Sequence, residues 1–162
     1  MMNTRTFESR LTVAQVAEQK VLGYLLWHGS SAHRVSQESW LPKWVHERIR
    51  KIPNQGLELI RHFPHMATER ALIQVKCALD ADQYPSVTIE QGSYLTSKIL
   101  SDLGIPVLLV WWTDTKMLAG WANEVKVSLP ATDRRDAAGS HSPFYLVRKS
   151  ELKQLSDYLD KL

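Results

Sequence analysis

The sequence predicts an α/β protein with a single central mixed sheet flanked by helices. Residues 72–77 alternate β-branched and polar side chains, which indicates a strand. Residues 106–112 form a continuous apolar run, which is typical of a strand buried on both faces. Residues 11–28 carry apolar side chains at helical spacing. A helix, strands, a second helix and a buried strand in this order favour one sheet with helices on both faces.

Composition excludes several classes of protein. The chain has 162 residues, of which 44% are hydrophobic and 23% charged, so wholesale disorder is excluded. The single cysteine, Cys77, excludes a disulfide framework and a zinc site made of cysteines alone. No apolar run approaches the roughly 20 residues that cross a bilayer, and the N-terminus lacks a signal-peptide core. We therefore expect a cytoplasmic protein that does not associate with membranes.

The N-terminal third begins with the helix at 11–28, which Thr12 can cap and Gly29 ends. A short strand is expected at 33–35. A second helix is expected at 38–51, with a proline near its first turn.

The middle of the chain is expected to hold most of the sheet. Strands are expected at 57–63 and 65–68, followed by a tight turn that leads into the strand at 72–77. A loop at 80–86 and a helix at 88–103 come next, and Gly104 ends this helix.

The C-terminal part is expected to add one strand and one helix. After the buried strand at 106–112 we expect an exposed strand at 120–129 and a polar loop at 130–142. The chain is expected to close with a helix at 150–162, whose leucine and tyrosine side chains form one apolar stripe.

Charge is divided unevenly along the chain. Residues 1–76 hold 11 Lys/Arg and 6 Asp/Glu, a net charge of +5, whereas residues 77–162 hold 9 and 11, a net of −2. A basic half favours contact with a polyanion, although chance asymmetry on a solvated surface is an equal alternative.

The segment 38–51 carries the strongest basic patch. Basic side chains bind phosphates and exposed indoles stack on unpaired bases. The alternative is an amphipathic helix with tryptophans in the core and solvated arginines. The patch consists of Trp40, Lys43, Trp44, Arg48, Arg50 and Lys51.

The strand at 72–77 has an unusual polar face. Alternation places Gln74 and Lys76 on one face, and Ile73, Val75 and Cys77 on the other. An amide and a cation are costly to bury, so this face is expected to open onto a site. The alternative is an edge strand with its polar face in water.

Three short motifs follow one another in a recognisable order. Glu18 lies on the first helix, Pro64-His65 precedes a tight turn, and Gln74-Val75-Lys76 lies on the next strand. This order resembles the PD-(D/E)XK nuclease superfamily, with its restriction-endonuclease-like core, and within it the Holliday-junction-resolvase-like branches that use Gln-x-Lys.

The resemblance covers residues 12–112 and implies a single nuclease-like domain over 1–162. Residues 113–162 would form its C-terminal extension of a strand and a helix. A core of this kind implies a central sheet in which the strand at 72–77 lies beside the strand at 106–112.

The resemblance also implies a reaction, the metal-assisted hydrolysis of phosphodiesters. Lys76, Gln74, Glu18 and His65 would be the catalytic residues, with Lys76 orienting the attacking water. Mg²⁺ or Mn²⁺ would be the cofactor. The metal ligands would be Glu18, His65, Gln74 and Glu58. The residues expected to contact nucleic acid are Lys43, Arg48, Arg50, Lys51, Arg34 and Gln91.

The chain departs from the superfamily pattern at two acidic positions. His65 stands where the pattern has aspartate, and Gln74 stands where it has an acid. Mg²⁺ prefers anionic oxygen ligands, whereas an imidazole suits Mn²⁺ or another transition metal. A migrated carboxylate from Glu58, Glu69 or Glu90 would restore a metal site. Otherwise the site binds without cutting.

The sequence thus predicts a metal-dependent, nuclease-like DNA-processing protein. The alternative is a catalytically inactive nuclease fold that binds nucleic acid or acts as a protein-interaction subunit. DNA is the expected partner, and a homodimer or a partner protein is compatible with the exposed tryptophans.

Overall fold

The computed structural model describes residues 7–35, 44–45, 59–79, 81–129 and 143–162. Two longer helices, α1 (Phe7–Trp27) and α2 (Gln91–Asp102), and eight strands organise this part of the chain. The strands are β1 (His33–Arg34), β2 (Met66–Ala67), β3 (Leu72–Cys77), β4 (Ser86–Glu90), β5 (Val107–Trp112), β6 (Met117–Trp121), β7 (Phe144–Arg148) and β8 (Lys153–Gln154). Short 3₁₀ helices lie at Ala81–Gln83, Lys149–Glu151 and Leu155–Lys161.

Six of these strands form the main sheet, in the order β1-β2-β3-β5-β6-β8. Strands β3 and β5 pair in parallel, with Leu72 opposite Val107 and Cys77 opposite Trp112. The other pairs in this sheet are antiparallel. Strands β4 and β7 form a separate antiparallel ribbon. The expected mixed sheet is therefore confirmed, with β3 and β5 at its centre.

The two faces of the main sheet carry different apolar clusters. On one face, Ala17, Val21 and Leu25 of α1 pack against Ile73 and Val75 of β3. On the other face, side chains from β4 and α2 pack against β5. This second cluster includes Val87, Ile89, Tyr94, Leu100, Val107, Leu109 and Trp111. Strand β5 is thus buried on both faces, as its continuous apolar run predicts.

Several predicted elements are confirmed with small shifts. The first helix begins at Phe7 rather than at 11, and β3 has the predicted bounds. Gly104 follows α2 with a φ of +84°, a left-handed conformation that suits glycine at the end of a helix. The predicted helix at 38–51 and the polar loop at 130–142 lie outside the described residues, apart from 44–45.

The prediction of a strand at 57–63 is wrong for its described part. Residues 59–61 are helical, and the Phe63 amide donates to the Ile60 carbonyl at 3.4 Å. Pro64 then disfavours continuation of the helix, because the residue before a proline is biased towards extended backbone.

The start of the helix expected at 88–103 was also predicted wrongly. Residues 88–90 belong to β4, and the helix begins at Gln91. Val87 and Ile89 alternate into the core while β4 pairs with β7, a strand that the sequence analysis leaves unassigned. This pairing favours the strand over the helical periodicity.

The C-terminal elements differ from the prediction in type but not in burial. The strand expected at 120–129 occurs instead at Met117–Trp121. The helix expected at 150–162 is replaced by β8 and two 3₁₀ segments. Leu152, Leu155 and Tyr158 are nevertheless buried, and the spacing of three residues between Leu155 and Tyr158 matches the repeat of the last 3₁₀ segment.

No helix in the described part of the chain is long and apolar enough to cross a membrane. The division into a core at 12–112 and an extension at 113–162 stays a prediction, although β6 and β8 of the extension pair within the main sheet.

A partly buried hydrogen bond joins the β4–β7 ribbon to the main sheet. The fully buried Trp111 donates through Nε1 to the Thr88 carbonyl at 2.8 Å. We expect Trp111→Phe to lower the free energy of unfolding by roughly 2–3 kcal/mol, since it removes this donor and leaves space in the core. Trp112→Phe, at a partly exposed position on the other face, is the matched control. Equal urea midpoints for the two variants would contradict this description.

Candidate functional site

The site begins where β2 separates from β3. The two strands pair only at Met66 with Ile73 and at Ala67 with Leu72. His65 continues the ladder, because its backbone N–H donates to the Ile73 carbonyl at 3.0 Å. The Val75 N–H then donates to the His65 ring at Nδ1, at 3.1 Å. The His65 ring thus accepts the hydrogen bond that a backbone carbonyl would accept if the strand pairing continued.

This hydrogen bond determines the tautomer of His65. A nitrogen that accepts a hydrogen bond carries no proton, so the ring proton lies on Nε2. Nε2 is 3.7 Å from Oε1 of Glu18. Burial, followed by the charges of Lys76 and Arg34, lowers the pKa of His65 from 6.5 to about 3. His65 is therefore neutral at physiological pH, and both of its nitrogens face a partner.

Glu18 approaches His65 from α1. Its side chain is 7% exposed, and Oε2 lies 3.5 Å from Nη2 of Arg34. The guanidinium offsets the cost of burying a carboxylate at this position. Arg34, expected from the sequence to contact nucleic acid, forms this ion pair at the edge strand β1. We name Glu18, Arg34 and His65 the acidic group.

The α2 side of β3 carries the two polar residues of the Gln-x-Lys motif. Gln74 is 2% exposed, and its Oε1 has no hydrogen-bond partner among the described residues. Lys76 Nζ donates to Ser93 Oγ at 2.8 Å. No carboxylate in the described part of the chain comes within ion-pair distance of Nζ. Desolvation lowers the pKa of Lys76, against the opposing charges of Glu90 and Glu18.

The first turn of α2 surrounds the Lys76 ammonium. Ser93 Oγ lies 3.5 Å from Nδ1 of His62, which is itself 3.8 Å from Oε2 of Glu90. Gly92 leaves room for the His62 ring, which a Cβ at this position would displace. We name Lys76, Ser93, His62 and Glu90 the lysine group.

The structure brings some of the predicted site residues together, places one of them elsewhere and leaves others outside the described residues. Glu18 and His65 are in contact, and the charges of both carboxylates, Glu18 and Glu90, act on Lys76. Gln91 lies at the start of α2, where its Nε2 donates to the Tyr145 hydroxyl at 2.8 Å. Outside the described residues lie Glu58, Lys43, Arg48, Arg50 and Lys51.

Glu69 does not reach the site. It is exposed in the turn between β2 and β3, at the opposite end of β3 from Lys76. Ser93 and His62, in contrast, belong to the site although the sequence analysis assigns them no role in it. The only local signal for Ser93 is its place in the first turn of the predicted helix, one residue after a glycine.

The donor set does not fit a hard divalent cation. Within the described residues, no group of three or more His, Cys, Asp and Glu side chains is arranged to hold a metal. His65 has no nitrogen lone pair left for coordination, since Nδ1 accepts from Val75 and Nε2 carries the proton. Gln74 supplies a neutral oxygen where Mg²⁺ prefers an anionic one. Glu18 is already paired with Arg34.

No family model and no curated protein matches this sequence. Among solved structures, it is similar to a Holliday junction resolvase from the archaeal hyperthermophile Archaeoglobus fulgidus. The TM-score is 0.51 at 8% identity, over 92% of this chain and 97% of the resolvase. A nuclease from a fusselovirus has a TM-score of 0.44 at 14% identity, over 94% of this chain and 89% of that one.

The chain therefore has a mixed α/β fold similar to that of the Holliday junction resolvase. The predicted resemblance is confirmed at this level. At such low identity the likeness shows the fold alone, and the chemistry depends on this chain's own residues.

The low pKa of His65 predicts a pH-dependent stability. The unfolded chain takes up a proton on His65 below pH 6.5, but the folded chain does so only near pH 3. The contribution of His65 to the free energy of unfolding is complete above pH 6.5. It is lost as the pH falls towards 3, by about 1.4 kcal/mol per pH unit.

His65→Asn isolates this contribution. The Asn side chain retains an acceptor for the Val75 N–H but does not titrate. Urea unfolding of both proteins between pH 7 and about pH 4.5 is expected to show a steeper loss of stability in the wild type. Parallel pH profiles would mean that His65 titrates normally in the folded protein.

Proposed function

We propose that this protein binds the phosphate backbone of DNA at the lysine group, on a nuclease fold that does not carry out metal-assisted hydrolysis. One observation carries the proposal: His65 replaces the metal-binding aspartate of the superfamily pattern, and both of its nitrogens already face a partner. The side chains of the acidic group thus pair with one another. In the lysine group, the Lys76 ammonium donates to a neutral hydroxyl.

Lys76 supports phosphate binding. Its ammonium has one described partner, the neutral Ser93 hydroxyl, and lies on a partly exposed residue. A desolvated ammonium without a bound anion is unfavourable, so an incoming phosphate oxygen would relieve that cost. Ser93 would then hold Nζ in position while two of its three protons point to the ligand.

DNA is the proposed ligand for two reasons. The fold resembles that of a Holliday junction resolvase, a protein that acts on DNA junctions. The N-terminal half of the chain, which supplies β1 to β3 and Lys76, has a net charge of +5. Positive charge of this kind attracts a polyanion and makes its binding dependent on salt. A homodimer, a cytoplasmic location and a single domain over 1–162 are further proposals.

The phosphate contact is tested with Lys76→Gln. Fluorescence anisotropy with duplex, single-stranded and branched DNA is expected to show about tenfold weaker binding, since a charge-assisted hydrogen bond is lost. The slope of log affinity against log salt should fall by about 1. Lys98→Gln, at a half-buried lysine of α2 that pairs with Asp102, is the matched control and should bind like the wild type.

The absence of hydrolysis is tested separately. The wild type is expected to cut none of these DNA substrates with Mg²⁺ or Mn²⁺, and to bind Mn²⁺ weakly in a titration. His65→Asp combined with Gln74→Glu restores the two anionic ligands of the superfamily pattern and should bind Mn²⁺ more tightly. Metal-dependent cleavage by the wild type that Lys76→Gln abolishes would contradict the proposal.

A further inference from the structure

A two-stranded ribbon leads away from the lysine group along the protein surface. Glu90, at one end of β4, faces His62 and acts on Lys76. Ser86, Thr88 and Glu90 alternate with buried residues, so all three side chains lie on the outer face of β4. Ser86 is paired with Arg148 of β7. Ser86 and Glu90 are four residue steps apart along the strand, a distance of about 13 Å.

A groove lies at the far end of this ribbon. Its volume is about 740 Å³, which is within the range of ligand-binding clefts. Tyr84, Arg148 and Lys149 line it, together with Asp82. The Tyr84 residue is 49% exposed. Among the described residues, the Arg148 guanidinium forms no hydrogen bond or ion pair. The groove thus presents an aromatic ring beside an available cation.

The loop that carries Tyr84 is fixed in place. Lys149 Nζ donates to the Ala81 carbonyl at 2.6 Å, and the Lys149 backbone N–H donates to the Pro85 carbonyl at 3.0 Å. Asp82 accepts a hydrogen bond from the Thr115 hydroxyl at 3.1 Å. These hydrogen bonds order the groove before any ligand arrives, which lowers the entropic cost of binding.

The side-chain charges of the groove sum to +1, because Arg148 and Lys149 outweigh Asp82.

From this geometry we propose that the groove is a second nucleic-acid subsite, which holds an unpaired nucleotide of the strand bound at Lys76. Its base stacks on Tyr84 and its phosphate contacts Arg148. Stacking on a ring requires a base that is free of its complement, so the ligand is single-stranded DNA or the single-stranded arm of a branched DNA. In stacked geometry about four nucleotides cover 13 Å, and fewer do so in an extended strand.

This inference rests on the proposed phosphate contact at Lys76, and its test separates the two. Tyr84→Leu removes the stacking ring, whereas Tyr84→Phe retains it and serves as the matched control. Arg148→Gln removes the cation. Affinities for a two-nucleotide and an eight-nucleotide single strand, and for a duplex, are measured by competition against a labelled strand over a range of salt. Circular dichroism checks that each variant is folded.

The expected result is specific to the longer single strand. Tyr84→Leu should weaken its binding about tenfold, while Tyr84→Phe stays within twofold of the wild type. Arg148→Gln should reduce the salt slope for this strand by about 0.7, the value for one phosphate of a single strand. The two-nucleotide strand and the duplex should bind all variants alike.

Two results would overturn the subsite. If Lys76→Gln weakens binding but Tyr84→Leu and Arg148→Gln do not, the phosphate contact stands and the groove is not used. If Tyr84→Leu weakens duplex and single strand equally, base stacking is not its role. A wild type that binds neither form of DNA would instead contradict the proposed function, and the subsite with it.

Discussion

The hydrogen bond from the Val75 amide to His65 Nδ1 is the interaction on which the chemistry of the site depends. It connects a side chain to the backbone of the central strand at the point where β2 leaves β3. An aspartate at this position could accept the same hydrogen bond through one oxygen and still offer an anionic oxygen to a metal. A neutral imidazole offers only its Nε2 proton, which faces Glu18.

The two helices explain why the site has two separate groups. Helix α1 packs on the face of β3 that carries Ile73 and Val75, and thereby brings Glu18 to His65. Helix α2 covers the opposite face and brings Ser93 to Lys76. The two groups lie on either side of β3 and act on each other through charge, since Lys76 acts on His65 and Glu18 acts on Lys76. Burial is the main cause of the low pKa of His65, and the charge of Lys76 lowers this pKa further.

The strands that the sequence predicts correctly are those whose pattern is complete within the strand itself. Strand β3 alternates and β5 is apolar throughout, and both lie where the pattern places them. The boundary between β4 and α2 was wrong because residues 86–90 pair with β7, more than fifty residues later in the chain. Local propensity carries no information about such a partner.

The site was predictable only in part for the same reason. Gln74 and Lys76 could be identified from the sequence without knowledge of their contacts, because an amide and a cation on the face of a buried strand are costly to bury. The Lys76–Ser93 contact, the Glu18–Arg34 ion pair and the tautomer of His65 depend on how helices and strands pack, which spacing in the sequence does not specify.

The protonation state of the His65 ring tests the central claim most directly. Nitrogen-15 NMR of the imidazole identifies which nitrogen carries the proton, at neutral pH and at about pH 5. The account predicts the neutral tautomer protonated on Nε2 at both values, with no change of either ring-nitrogen shift when Mg²⁺ is added. An imidazolium at pH 5, a proton on Nδ1, or a shift on adding Mg²⁺ would contradict it.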